Sequence, residues 1–427
     1  MNLDISVERK GQAQIAGTIS GYGIEDARFR YEARYLERMD AVPISISLPL
    51  QREAFSPEQT RNFFDGLLPE GFTRRTVADW IHTDESNYLE ILSSLGKECL
   101  GAIKVSDSDN SSEIPCGYEK LSMEQVHELA REGASKSTEL VTRAHLSLTG
   151  ASGKVGLYYD KADRQWYLPV GSAPSTHIVK QSHIRLNAIV TNEQLSIFTA
   201  KKLGIDTPET FIINTGNFED GDVLFATERY DRLFEKNAHL TAGLPVPLRL
   251  HQEDFGQALG IPASEKYEKP GYHYLREMVK LLRSYSADPI QDITKLWNIV
   301  IFNFLLGNTD AHVKNFSLLY GEDLKTIRLA PAYDLVSTST YKESTRDMAF
   351  NIGGKVLIDE IQRSSFMEAA EEAGINITFA MKQFDRMAEG FERALHQSVF
   401  ELAEMGYENA KQIGERILQT GGIHNLK

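Results

Sequence analysis

Asp310, Asn315 and Asp334 are the residues of this sequence whose types and spacing best support a chemical role. The first two lie in LGNTDAHVKNF (306–316), which begins where the strongly apolar run KLWNIVIFNFLL ends. Polar side chains beside a hydrophobic core are unfavourable unless a partner satisfies them. Carboxylate and amide oxygens suit Mg²⁺ and are poor ligands for zinc. The segment therefore predicts a bound metal ion, ligand or substrate.

The spacing of Asp310 and Asn315 matches that of a protein-kinase catalytic loop, in which four residues separate the catalytic Asp from a metal-binding Asn. In phosphoryl transfer the Asp accepts the proton of the attacking hydroxyl group, and the Asn binds magnesium. Asp334, in TIRLAPAYDLVS, follows Asn315 by nineteen residues and is predicted to be the second metal ligand. The DFG tripeptide at 254–256 lies 56 residues upstream of Asp310, so we predict only a helix start there.

Strand-like segments between about 140 and 232 contain residues that could hold a nucleotide. Lys180 follows the apolar part of STHIVKQS and is predicted to reach phosphates, with Glu193 on a helix predicted over 191–203 as its partner. The turn TGASGK (149–154) can bring backbone N–H groups to phosphates, although it is not a Walker loop. The backbone at 228–230 is predicted to bind adenine.

Each of these residues also has an ordinary structural interpretation. Asp310 could cap a helix, Asn315 could occupy a turn, and TGASGK suits a simple hairpin. Lys180 could be a solvated edge residue, and Glu193 a helix-start acid. The functional interpretation is favoured by the order of these features along the chain. A glycine turn is followed by a lysine, a glutamate, an adenine segment, the catalytic pair and the second metal ligand.

The composition limits the classes of protein that need to be considered. The 427 residues carry a net charge of -14, which disfavours direct binding of nucleic acid over most of the surface. Cys99 and Cys116 are the only cysteines, so a disulfide framework is excluded. The start of the chain lacks a signal-peptide core, the run 296–306 is too short to cross a membrane, and a cytoplasmic location is predicted.

Periodicity and breaks in composition predict an α+β protein of three parts, 1–115, 116–232 and 233–427. A β-rich half precedes a helical half, which indicates two lobes with a cleft between them. In the first part, VPISISLPL alternates and is predicted to be an edge strand. Ser56, Pro57 and Glu58 predict a helix start, and 296–306 predicts a core helix.

Several blocks of the sequence resemble the HipA toxin kinases of bacterial type II toxin–antitoxin systems. ISLPLQREAFSPEQTRNFFDGLLPEG and ILSSLGKECLGAI resemble the family's N-terminal subdomain. SLTGASGKVGL, ATERYDR, RLHQEDFGQALGIPASEKYE, LLGNTDAHVKNFSLL and LAPAYDLVST resemble its kinase core. The resemblance implies a two-lobed protein-kinase-like fold, with the N-terminal subdomain added to a β-rich N-terminal lobe and a helical C-terminal lobe.

The resemblance also implies roles for individual residues. Asp310 would be the catalytic aspartate, Asn315 and Asp334 would bind Mg²⁺, and ATP would be the phosphate donor. Ser147, in the strand before the glycine turn, matches a serine whose autophosphorylation inactivates family members. The family turn often reads A-G-A-Q-x-K, where this chain has T-G-A-S-G-K. The nucleotide would contact Thr149, Gly150, Ala151, Ser152, Gly153, Lys154, Lys180, Glu228, Arg229, Tyr230, His312, Val313, Lys314, Asn315, Tyr333 and Asp334.

Partners and substrate follow from the same resemblance. It implies a small HipB-like antitoxin with a helix-turn-helix, operator DNA bound mainly through that antitoxin, and repression of the operon. The protein substrate would be an aminoacyl-tRNA synthetase, for which glutamyl-tRNA synthetase is the family example. Two alternatives remain open at this stage, a small-molecule kinase and a non-catalytic corepressor.

Overall fold

The computed structural model describes residues 1–108, 115–132, 136, 140, 153–182 and 186–426. The chain divides into two compact units, and each is built from several stretches of sequence. Unit 1 comprises Met1–Gln181, Ala226–Ser264 and Leu319–Thr326, and unit 2 comprises Ser182–Phe225, Glu265–Leu318 and Ile327–Lys427. Both units contain helices and strands, which confirms the predicted α+β class.

Unit 1 begins with an antiparallel sheet in the order β3-β2-β1-β4. Leu3, Ile5 and Val7 alternate along β1 and are buried, as expected of a strand with one face on a core. Helix α2 starts as predicted, because Ser56 and Gln59 form a capping box ahead of Pro57. The elements are β1 (Asn2–Arg9), β2 (Gln12–Ser20), β3 (Arg28–Tyr31), α1 (Ala33–Leu36), α2 (Pro57–Phe64), α3 (Gly71–Trp80), α4 (Tyr88–Leu95) and β4 (Ile103–Asp107).

The edge strand predicted for VPISISLPL is wrong. Residues 42–50 contain only an isolated bridge between Ser45 and Leu48. Side chains satisfy the backbone here instead of a neighbouring strand: the Ile44 N–H donates to the Tyr31 hydroxyl (2.9 Å), and the Ile46 N–H donates to Glu253 (3.1 Å). The alternation in this segment therefore reflects burial of an irregular loop.

The second sheet of unit 1 has the order β5-β7-β6-β8, and β8 is followed by β10. Strand β10 starts in unit 2 and enters unit 1 at Ala226. Short strands and two helices complete the part of unit 1 that the structure describes. The elements are β5 (Gly117–Lys120), α5 (Met123–Glu132), β6 (Lys154–Asp160), β7 (Gln165–Val170), β8 (His177–Gln181), β10 (Val223–Glu228), β11 (Arg232–Leu233), β12 (Leu240–Thr241), β13 (Leu244–Pro245), β14 (Leu248–Arg249), β15 (Gln252–Asp254) and α7 (Phe255–Leu259).

The DFG tripeptide lies at a helix start, as predicted. Asp254 caps α7 and accepts a hydrogen bond from the Gln257 N–H at 2.8 Å. The neighbouring Glu253 is fully enclosed, and its carboxylate accepts hydrogen bonds from Ser45 (2.5 Å) and Tyr320. Burial raises the pKa of Glu253 to about 7. These contacts give the segment a structural role.

Unit 2 is mainly helical, and its core helix α9 contains the apolar run predicted from the sequence. Trp297, Phe302 and Phe304 on α9 are completely buried, and α9 packs against α8 and α11. The predicted helix over 191–203 is confirmed as α6, shifted by at most two residues. The helices are α6 (Ile189–Lys202), α8 (Tyr274–Tyr285), α9 (Pro289–Leu306), α10 (Arg363–Glu372), α11 (Ile377–Glu404) and α12 (Asn409–Thr420).

Short strands in unit 2 carry the loops on which the predicted catalytic residues lie. These strands are β9 (Thr210–Asn214), β16 (Ser317–Tyr320, which ends in unit 1), β17 (Ile327–Leu329), β18 (Asp347–Ile352) and β19 (Lys355–Leu357). Within the residues that the structure describes, no helix is both long and apolar enough to cross a membrane.

Candidate active site

A glycine ends the core helix α9 and turns the chain into the predicted catalytic loop. Gly307 adopts a left-handed conformation (φ 76°) directly after Leu306. A side chain at this position would collide with Ser339, so glycine is required both for the backbone angle and for space. Residues 308–315 are therefore held at the end of a rigid, buried helix.

Hydrogen bonds within unit 2 satisfy the polar groups that follow this helix. Asn308 Nδ2 donates to Asn303 Oδ1 (3.0 Å) and to the Asp334 carbonyl oxygen (3.2 Å). The Thr309 N–H donates to Thr338 Oγ1 (2.7 Å). These bonds tie the catalytic loop to the segment after β17, and they explain part of the polar crowding beside an apolar helix.

Asn315 is oriented toward the backbone of Asp310. Asn315 Nδ2 donates to the Asp310 carbonyl oxygen at 3.0 Å, and the His312 N–H donates to the same oxygen at 2.8 Å. Asn315 is the last residue of a single 3-10 turn, Val313–Asn315. Because the amide nitrogen faces inward, the acceptor oxygen of Asn315 is directed away from that carbonyl, as a metal ligand requires. The side chain of Asp310 is exposed.

Asp334 has a left-handed backbone (φ 57°). This conformation is strained for a residue other than glycine, and such strain is concentrated at functional sites. The preceding Tyr333 hydroxyl donates to the Lys314 carbonyl oxygen at 2.9 Å. Lys314 and Asn308 lie near the two ends of the loop that carries Asp310. The bonds from Tyr333 to Lys314 and from Asn308 to the Asp334 carbonyl oxygen therefore hold the predicted metal ligand against this loop.

The donor set fits magnesium. Asp334 and Asn315 offer a carboxylate and an amide oxygen, which are hard ligands of the kind that Mg²⁺ prefers. In the described part of the chain, no group of three or more His, Cys, Asp or Glu residues could hold a metal ion. Asn315 and Asp334 stay the residues predicted to hold Mg²⁺, which would neutralise phosphate charge.

Other predicted residues of unit 2 are mostly enclosed. His312, Val313 and Lys314 are buried. The side chain of Val313 is completely inaccessible, so this residue could contact a nucleotide only through its backbone. Glu193 is buried on α6, just after the first turn of the helix. Its predicted partner Lys180 belongs to unit 1, and the pairing of the two stays a prediction.

Tyr267, a residue of unit 2 that no sequence prediction included, contacts the predicted catalytic aspartate. Its hydroxyl donates to Asp310 Oδ1. Its ring meets His312 edge-on, with 5.4 Å between the ring centroids and an 88° interplanar angle. Tyr267 lies 43 residues before Asp310, within the block RLHQEDFGQALGIPASEKYE that resembles the family's kinase core, but nothing in that block assigns the tyrosine a role.

In unit 1, two predicted phosphate contacts lie opposite each other. Lys154 on β6 pairs with Lys180 on β8 in the antiparallel register, so their side chains share one face of the sheet. Their role in phosphate binding stays a prediction. Gly153, which precedes Lys154, is buried.

The predicted adenine segment is fixed by a buried cluster of charges. The Arg229 guanidinium donates to Glu98 (3.1 Å) and Asp231 (2.7 Å), and all three side chains are essentially inaccessible. The Arg229 N–H donates to the Thr176 carbonyl oxygen at 2.9 Å. The Arg229 carbonyl oxygen accepts a hydrogen bond from the Arg232 N–H at 3.2 Å. The side chain and backbone of Arg229 are thus bonded inside unit 1, and adenine binding by this segment stays a prediction.

The residues on either side of Arg229 are also held by neighbours within unit 1. Glu228 forms an ion pair with Lys161 at 2.8 Å. The Tyr230 hydroxyl donates to Gln252 Oε1. The remaining predicted site residues, Ser147, Thr149, Gly150, Ala151 and Ser152, lie outside the described residues.

Comparisons with known proteins show the family of the chain. Residues 146–411 match the family described as HipA-like C-terminal domain, and residues 10–106 match the HipA N-terminal domain. A Sinorhizobium fredii protein named "Putative kinase Y4mE" is 31% identical over 395 residues, which cover 90% of each chain. The chain belongs to the HipA family.

Two further HipA comparisons extend over nearly the whole chain. The "Serine/threonine-protein kinase toxin HipA" of Shewanella oneidensis is 25% identical over 387 residues, which cover 86% of this chain and 83% of that protein. A solved structure of a Shewanella oneidensis MR-1 toxin–antitoxin complex of HipA, HipB and operator DNA matches with a TM-score of 0.78. The two chains are 20% identical, and the match covers 98% of this chain and 97% of the solved chain. This match establishes the HipA fold.

Proposed function

We propose that this HipA-family chain is an ATP- and Mg²⁺-dependent protein serine/threonine kinase. The observation that carries the proposal is the hydrogen-bonded loop of unit 2, in which Asn315 is bound to the backbone of Asp310 and the segment of Asp334 is bound to the same loop. These bonds support the proposal, because phosphoryl transfer needs a proton acceptor held beside the ligands of a phosphate-bound metal.

Each residue then has a defined task in the proposed reaction. Asp310 accepts the proton of the attacking serine or threonine hydroxyl group. The hydroxyl oxygen bonds to the γ-phosphorus of ATP as the bond to the ADP oxygen breaks. Lys154 and Lys180 would offset the negative charge of the phosphates, and Asn315 and Asp334 would hold Mg²⁺.

The finer proposals rest on the relatives. We propose that the chain is the toxin of a HipBA-like module in the cytoplasm, that a helix-turn-helix antitoxin binds it, and that the pair contacts operator DNA mainly through the antitoxin. The net charge of -14 supports DNA contact through the antitoxin, because an acidic surface repels the phosphates of DNA. The proposed substrate is an aminoacyl-tRNA synthetase, with glutamyl-tRNA synthetase as the first choice, and Ser147 is the proposed site of inactivating autophosphorylation.

The proposed domain division follows the same family pattern. Residues 1–115 would be the N-terminal subdomain, 116–232 the β-rich nucleotide-binding lobe, and 233–427 the helical lobe with the catalytic loop. The family match at 10–106 supports the N-terminal subdomain, and the match at 146–411 spans the two proposed lobes together.

Phosphoproteomics of cells that produce either the wild type or Asp310→Asn tests the function. We expect serine or threonine phosphorylation of a small set of proteins, including an aminoacyl-tRNA synthetase, in the wild-type cells only. The synthetase would then be purified and tested as a substrate. Identical phosphoproteomes would contradict the proposed function, and phosphate on a metabolite instead of a protein would favour a small-molecule kinase.

A further inference from the structure

Tyr267, which no sequence prediction included, bonds to the side chain of the predicted catalytic aspartate. The Tyr267 hydroxyl donates to Asp310 Oδ1, although the side chain is 45% exposed. An exposed aspartate can ordinarily adopt several rotamers, and the loss of that freedom has an entropic cost at each reaction. A hydrogen bond to one carboxylate oxygen reduces that freedom before substrate arrives.

The backbone on both sides of Tyr267 is anchored within unit 2. The Lys266 carbonyl oxygen accepts a hydrogen bond from the Val313 N–H at 3.4 Å. The Glu268 N–H donates to the Ala349 carbonyl oxygen at 2.9 Å, and the Glu268 carboxylate accepts from the Tyr274 N–H at 2.6 Å. The tyrosine is therefore presented by a fixed segment, with its ring supported at its edge by His312.

The two carboxylate oxygens of Asp310 can have different roles. Tyr267 occupies Oδ1, and the proton of the attacking hydroxyl group needs a single acceptor oxygen. We propose that Tyr267 is a positioning residue, which holds the Asp310 carboxylate through Oδ1 so that Oδ2 faces the substrate hydroxyl. This inference rests on the proposed kinase function, and it adds a residue that the sequence motif does not contain.

Tyr267→Phe tests the inference, because it removes the hydroxyl group and keeps the ring against His312. The assay uses radiolabelled ATP, Mg²⁺ and a degenerate serine/threonine peptide library as phosphate acceptor. Loss of one hydrogen bond of about 1.4 kcal/mol corresponds to a roughly tenfold lower kcat. We expect the KM for ATP and the Tm to be unchanged. Tyr272→Phe, an exposed tyrosine of the same connection, is the matched control and should keep the wild-type kcat.

A double-mutant cycle distinguishes positioning from a merely structural role. Tyr267→Phe should have little further effect on the residual rate of Asp310→Asn, since it acts through that carboxylate. An unchanged kcat in Tyr267→Phe, a faster rate, or an equal loss in the Asp310→Asn background would overturn the inference. A wild type that transfers phosphate neither to the library nor to any cellular protein would instead refute the proposed function.

Discussion

Asp310→Asn is expected to lower the rate of phosphate transfer to protein by about 10²–10⁴-fold, the usual contribution of a general base. At about 1.4 kcal/mol per decade, this is roughly 3–5 kcal/mol of activation free energy. The amide has nearly the same shape as the carboxylate but cannot take up the proton. Initial rates of phosphorylation of the substrate identified by phosphoproteomics, at saturating ATP, measure the loss.

The fold of this variant should be intact. The Asp310 side chain is exposed, and the amide oxygen of Asn can still accept the hydrogen bond from Tyr267. Asp385→Asn is the matched control, because it removes one exposed negative charge from helix α11 of the same unit. Its rate should equal that of the wild type. If Asp310→Asn keeps the wild-type rate, the role of Asp310 as proton acceptor is wrong.

Glu98→Gln is expected to lower the free energy of unfolding of unit 1 by about 3–5 kcal/mol, the usual cost when one partner of a buried ion pair is removed. The Glu98 carboxylate is fully buried and contacts Arg229 (3.1 Å), Arg232 (2.6 Å) and Arg249 (3.4 Å). Glutamine keeps the shape but leaves these guanidinium groups with less negative charge. Urea unfolding followed by a probe in unit 1 measures the change.

Asp40→Asn is the control for the buried glutamate. Asp40 also pairs with two arginines, Arg9 (2.6 Å) and Arg38 (3.0 Å), but its side chain is 43% exposed. Solvent screens such a pair, so the expected loss is only about 0–1 kcal/mol. Equal losses in the two variants would show that the buried cluster has no special importance for stability.

The stabilising effect of Glu98 should depend on pH. Burial alone would raise its pKa, but attraction from Arg229, Arg232 and Arg249 prevails and lowers the pKa to about 2, from an ordinary value of 4.5. A lowered carboxyl pKa stabilises the folded state fully above about pH 4.5, and that stabilisation is lost as the pH falls toward 2. The difference between wild type and Glu98→Gln should therefore shrink on acidification.

Features governed by local chemistry could be predicted from the sequence. The capping box at Ser56, the helix start at Asp254 and the core helix that ends at Gly307 are set by side chains within one or two helical turns. Asp310, Asn315 and Asp334 could be chosen because the order and spacing of phosphoryl-transfer residues follow from the chemistry. The fold class followed from the same periodicities.

Contacts between distant residues could not be predicted in this way. The loop at 42–50 has a strand-like alternation, but Tyr31 and Glu253 satisfy its backbone, and Glu253 is 207 residues from Ile46. Glu98 and Arg229 are 131 residues apart, and each is individually an ordinary charged residue. Tyr267 belongs to the same class, because only the folded chain brings its hydroxyl group to Asp310.

The most direct test of the central claim is a crystal structure with Mn²⁺, as a magnesium substitute, and a non-hydrolysable ATP analogue. An anomalous difference map locates manganese without reference to the protein. We predict a peak coordinated by the Asp334 carboxylate and Asn315 Oδ1, with the analogue's γ-phosphate facing Asp310. Manganese and nucleotide bound away from Asp310, Asn315 and Asp334 would contradict the account.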